Sequence, residues 1–84
     1  MYKIVVSKKA IKELEKIPKL YYKTIRIAID NLENEPRPNG YKKLQGYDDT
    51  YRIRVGVYRI IYTIEDNILT IEVIKIAHRQ SVYE

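Results

Sequence analysis

From Thr50 to Ile76 the chain reads as three β segments joined by turns too short for any crossover. The segments are about Thr50–Val55, Tyr58–Ile64 and Leu69–Ile76, separated by Gly56-Val57 and by a hairpin signal at Asp66-Asn67. Parallel neighbours need a connection of a dozen or more residues, so these strands must form an antiparallel meander. Ahead of them, Tyr2-Lys3-Ile4-Val5-Val6 reads as a first strand. Ser7 can cap a helix in which Ala10, Ile11, Leu14 and Ile17 recur at helical spacing, and Pro18 ends it. A second helix runs from about Leu20 to Asn34, its apolar stripe made of Leu20 or Tyr21, Ile25, Ala28, Ile29 and Leu32. Pro36, Pro38, Asn39 and Gly40 stop it. Tyr41 to Asp49 has no clear pattern, with Leu44 expected inside and Gly46 marking a turn or bulge. The predicted class is α+β in the order β-α-α-β-β-β, with both helices on one sheet face and residues 1–84 forming one domain.

Composition narrows the function. The chain has 84 residues, and no apolar stretch approaches a membrane span or forms a signal peptide, so the expected compartment is the cytoplasm. With no cysteine and one histidine, neither a thiolate site nor a metal cluster is expected, and no cofactor is implied. A net charge of +5 permits nucleic-acid binding without requiring it. Nine tyrosines stand where other chains use Phe and Trp. Each brings a hydroxyl that needs a partner, which puts some of them at the boundary of the core.

The strand pattern carries a second message. In Tyr51-Arg52-Ile53-Arg54-Val55 the arginines alternate with apolar residues, so Arg52 and Arg54 share a face, roughly 6.6 Å apart along the strand. Arg59 alternates with Tyr58 and Ile60, and the tight hairpin keeps it close to Arg54. Charges about 7 Å apart at an effective dielectric near 20 repel by roughly 2 kcal/mol. That cost has a purpose if an anion neutralises the cluster, and guanidinium groups suit phosphate well. Pairing with Asp48, Asp49, Glu65 or Glu72 on a solvated face is the ordinary alternative. Arg79 arrives as the chain leaves the last strand, with His78 beside it and Tyr83 near the end.

Leu44-Gln45-Gly46, Tyr51 through Tyr62, and His78-Arg79 through Val82-Tyr83 together resemble the RelE/ParE superfamily of toxin–antitoxin toxins, more closely its RelE branch. The resemblance covers nearly the whole chain, since element order and length also match. It implies a metal-independent, ribosome-dependent endoribonuclease that cuts mRNA in the A site. The ribose 2′-hydroxyl would attack the adjacent phosphorus, leaving a 2′,3′-cyclic phosphate and a free 5′-hydroxyl. Catalytic positions carry over to Arg52, Arg54, Arg59, Arg79 and Tyr83. Arg59 and Arg79 would hold the phosphate, and Tyr83 would stack on or orient the attacking nucleotide. Lysines can occur in the family where this chain has Arg52 and Arg54. Arginine keeps its proton at any physiological pH, which makes it a poor acid or base. Imidazole titrates in the useful range, so His78 is the candidate for proton transfer. Several relatives use a histidine in this region. The resemblance also implies a cognate RelB-like antitoxin in a hetero-oligomer. A basic, tyrosine-rich surface would suit an extended acidic segment of such a partner. A ParE-like toxin that inhibits DNA gyrase by binding is the competing reading, and a degenerate toxin kept within a repressor complex is a third.

Overall fold

The computed structural model describes residues 1–79. Its elements are β1 (Lys3–Val6), α1 (Lys8–Glu15), α2 (Lys19–Asn31), β2 (Lys42–Lys43), β3 (Thr50–Val55), β4 (Tyr58–Glu65) and β5 (Thr70–His78). The strands form one sheet in the order β1-β5-β4-β3-β2. β1 is parallel to β5, and the other pairs are antiparallel. β1 and β2 lie at opposite edges, so the helical hairpin between them crosses one face, with α1 against β5 and α2 against β3.

Local chemistry explains the helices. Ser7 takes an extended backbone at the N-cap, and its Oγ accepts a hydrogen bond from the Ala10 N–H at 3.1 Å. Pro18 separates α1 from α2 and sits at the cap of the second helix, where its missing N–H costs nothing. Ala10 and Leu14 of α1, with Ile25 and Ile29 of α2 and Leu32 at its C-cap, face the sheet. They meet Tyr51, Ile53, Ile60, Tyr62, Ile64, Ile71, Val73 and Ile76 in a single core. Truncating one of these aliphatic side chains to Ala should cost about 2–5 kcal/mol.

The predicted order holds, with corrections at the margins. α2 ends at Asn31 rather than Asn34, and Leu20 is 79% exposed, so it does not belong to the stripe. Leu44 is half-buried. The unpatterned stretch contains β2, a two-residue strand on the edge of β3. A single 3-10 turn, Asp66–Ile68, joins β4 to β5, and Leu69 closes it in the left-handed region at φ 49°. β5 therefore starts at Thr70, and it runs on to His78.

Register positions everything that matters for function. Across the β3–β4 hairpin, Val55 pairs with Tyr58 and Arg54 with Arg59. Gly56 leads the two-residue turn at φ +62°, a conformation that side chains resist. Between β4 and β5, Tyr58 pairs with His78 and Arg59 with Ala77. The register then shifts: Ile61 pairs with Lys75 but Tyr62 with Val73, leaving Ile74 as a bulge. β1 stops at Val6, and the Ser7 N–H donates to Val73 O at 2.9 Å. Beyond that point, the Ile76 N–H donates to Glu13 Oε1 on α1 at 2.8 Å.

Several tyrosines settle at the far end of the sheet. The buried Tyr62 hydroxyl donates to Pro36 O at 2.7 Å, and burial pushes its phenol well above the ordinary range. Arg37 donates to Asp66 Oδ2 at 3.0 Å and to the Tyr51 hydroxyl at 3.3 Å, while the Tyr2 hydroxyl donates to Asp66 Oδ1. The Tyr2 and Arg37 hydrogen bonds hold the Asp66 carboxyl below the ordinary carboxylate range. These contacts strap the Pro36-Arg37-Pro38 loop to the sheet. Among the described residues, no helix is long and apolar enough to cross a membrane.

Candidate functional site

The β3–β4 hairpin and the end of β5 converge at one corner of the sheet. Directly opposed strand residues point the same way, so the Arg54–Arg59 pair sets two guanidinium side chains side by side. The chain emerging from β5 folds against the hairpin tip, where the Arg79 N–H donates to Val57 O at 2.6 Å. Arg54, Arg59 and Arg79, with Gly56 and Tyr58, line a hollow of about 120 Å³. That is roughly the volume of four liquid waters, enough for a phosphate group.

The three arginines differ in environment. Arg54 and Arg79 are exposed, whereas Arg59 is only 2% exposed. A charge held that far from solvent acts through a lower effective dielectric and pulls harder on an anion that reaches it.

The remaining candidates sit elsewhere. Arg52 is half-buried opposite Ile61, two residues further along the strand, and does not line the hollow. His78 pairs with Tyr58, whereas its neighbour Ala77 pairs with Arg59. Alternation thus sends the His78 and Arg59 side chains to opposite sheet faces. The imidazole packs edge-on against Tyr58, with ring centroids 5.6 Å apart. It lines a second, larger hollow of about 610 Å³ between α1 and β5, together with Tyr58, Lys9, Glu13, Lys16 and Lys75. Tyr83 lies outside the described residues.

Tyr58 is the residue that sequence reasoning passed over. Alternation assigned it to the core face, and it does pack against the core. Yet it borders both hollows, and its ring also meets Tyr21 at 5.5 Å. Its place immediately after the turn and before Arg59 was the available signal.

Comparison with known proteins agrees with this fold. The family described as "ParE toxin of type II toxin-antitoxin system, parDE" matches residues 4–83. Toxin RelE3 of Methanocaldococcus jannaschii is 37% identical over 86 residues, covering 98% of this chain and 96% of that toxin. The archaeal RelE–RelB complex from Pyrococcus horikoshii OT3 superposes with a TM-score of 0.83 at 34% identity, covering 93% of this chain and 94% of that one. The RelB–RelE antitoxin–toxin complex from Methanococcus jannaschii gives 0.79 at 32% identity, covering 95% of each.

Proposed function

The chain belongs to the RelE/ParE superfamily of type II toxin–antitoxin toxins, on its RelE-like side, and from that membership we propose a ribosome-dependent endoribonuclease that cuts mRNA in the A site. One observation carries the reading: Arg54, Arg59 and Arg79 line a single phosphate-sized hollow. In the proposed step, a base removes the proton of a ribose 2′-hydroxyl, and the oxygen attacks the adjacent phosphorus. The 5′ oxygen leaves and takes up a proton, so the products are a 2′,3′-cyclic phosphate and a 5′-hydroxyl. The step is metal-independent in this reading. Negative charge builds on the equatorial oxygens of the phosphorane, where guanidinium donors fixed in advance lower the barrier. Arg59, with little water around it, contributes most to that stabilisation. Arg52 lies further along the path and would meet a flanking phosphate. His78, the sequence candidate for proton transfer, lies on the opposite sheet face from Arg59 and lines the other hollow, so the base and acid of this step are left unassigned, and Tyr83 would orient the attacking nucleotide.

The structures of similar toxins bound to RelB support a RelB-like antitoxin as partner in a hetero-oligomer, and the substrate implies a cytoplasmic protein. Mapping mRNA cut sites in a translating extract tests the proposal. Wild type should cut within A-site codons, and Arg59→Ala should lose about 10²-fold or more in rate. Cutting that is indifferent to both Arg59→Ala and Arg79→Ala would refute it. The ParE description of the matching family favours a second reading, inhibition of DNA gyrase by binding. A supercoiling assay distinguishes it, since an mRNA-cutting toxin leaves gyrase active.

A further inference from the structure

We propose that the hollow between α1 and the end of β5 is a second nucleic-acid subsite. Single-stranded RNA leaving the arginine hollow stacks a base on Tyr58 and His78 there, and sets its next phosphates on Lys9, Lys16 and Lys75. The inference rests on the nuclease reading and extends it from one linkage to a path.

Continuity is the first argument. Tyr58 borders both hollows, and His78 and Arg79 are consecutive residues that line one hollow each. A strand whose phosphate meets Arg79 need only pass the end of β5 to reach His78. The second argument is the chemistry of the lining. Lys9 and Lys16 stand seven residues apart, two turns along α1 and about 10 Å apart on its axis, with Lys75 across from them on β5. Glu13 lines the same hollow, but one of its carboxylate oxygens is engaged by the Ile76 N–H. Three lysines and one glutamate therefore line this hollow, with Ile17 and Ile76 as its apolar part.

The third argument is the aromatic group. Tyr58 is held between Tyr21 at 5.5 Å and His78 at 5.6 Å, with interplanar angles of 58° and 79°. A ring gripped on two sides loses little freedom when a base settles on it. A basic groove that tracks the backbone beside rings that accept bases is the general design of sequence-tolerant single-strand binding. The volumes agree with the division of labour: about 120 Å³ for a phosphate, about 610 Å³ for a base with its sugar and flanking phosphates.

The test is fluorescence anisotropy with an end-labelled single-stranded RNA carrying a 2′-deoxy nucleotide at the cut position, titrated between about 50 and 200 mM salt. Each phosphate contact on a single strand contributes roughly 0.7 to the slope of log affinity against log salt. The triple variant Lys9→Ala, Lys16→Ala, Lys75→Ala should therefore have a slope shallower by about 2. Tyr58→Leu should weaken binding about tenfold without changing the slope, and Tyr58→Phe should bind like wild type, because stacking needs the ring and not the hydroxyl. Should Tyr58→Leu fail to fold, the lysine variants, at positions outside the hydrophobic core, decide the matter. Arg59→Ala and Arg79→Ala losing affinity while the lysine triple matches wild type in slope would overturn the second subsite and spare the nuclease reading. No dependence on either set, or no measurable wild-type binding, would overturn the second subsite, while the ribosome-dependent nuclease reading stands or falls with the cut-site map. A lysine triple that keeps its RNA slope but loses affinity for a RelB-like antitoxin would assign the hollow to an acidic protein segment instead, and the proposal would fall.

Discussion

Replacing Arg54 with Gln should make the protein more stable and less active, and the size of the gain follows from the sheet register. Arg54 and Arg59 are directly opposed on β3 and β4, a placement that brings Cβ atoms to about 5 Å. Two unit charges at about 7 Å would repel by roughly 2 kcal/mol at an effective dielectric near 20. Arg54 is exposed, so water and salt reduce this to about 1 kcal/mol or less. Gln keeps the aliphatic stem and removes the charge. For a domain of this size, 1 kcal/mol corresponds to a Tm increase of about 4–8 °C. Thermal unfolding at about 20 mM and about 500 mM salt separates the effect from packing, since a Coulomb gain must shrink as the Debye length falls. The double variant with Arg59→Gln completes a thermodynamic cycle that isolates the pair. Cleavage of mRNA by Arg54→Gln should fall in parallel. A Tm that is unchanged or lower at low salt would show that the two charges do not oppose folding, and the inference of function from repulsion would go with it.

Other outcomes concern the scaffold. Tyr62→Phe leaves Pro36 O without its 2.7 Å donor and should cost about 1 kcal/mol in denaturant unfolding. The same variant should flatten the loss of stability above about pH 10, because a phenol raised by burial keeps its proton in the folded state after the unfolded chain has released it. Asp66 has the opposite sign. Its lowered carboxyl contributes stability above the ordinary carboxylate range, and this is lost as pH falls below about 4 through the folded-state value, so Asp66→Asn should show a shallower acid limb. Gly56→Val forces a β-branched residue to a φ near +62° and should lower stability by about 1–2 kcal/mol. It should also reduce cleavage more than the lost stability explains, since the same turn sets Arg54 against Arg59.

Most of the architecture was readable because it rests on local rules. Periodicity places Ala10, Leu14, Ile25, Ile29 and Leu32 on the sheet side, and Ser7 and Pro18 mark helix ends by chemistry that involves near neighbours. What was not readable depends on distant partners. Nothing near Lys42 shows that it pairs with Arg52, and nothing near Ile74 shows that β4 will skip a residue there. Leu20 matches the helical stripe yet stays exposed, a tertiary outcome that local periodicity cannot show. The arginine pair was visible from alternation and a two-residue turn. That His78 lies on the other face from Arg59 follows from alternation as well, once β5 is known to run as a regular strand past Ile76. Tyr58 escaped notice because a residue at a sheet corner can serve the interior and a ligand at once.

Because β1 ends five residues short of the β5 terminus in register, the last stretch of β5 would otherwise offer bare amide groups to any passing extended chain. Glu13 occupies that position, binding the Ile76 amide from a helix that lies across the gap. A single carboxylate thus serves as a stopper against fibre growth, and it does so beside the very residues that need to stay open to solvent. A Glu13→Ala variant, which lacks that stopper, should begin to clump at lower concentration than the parent molecule.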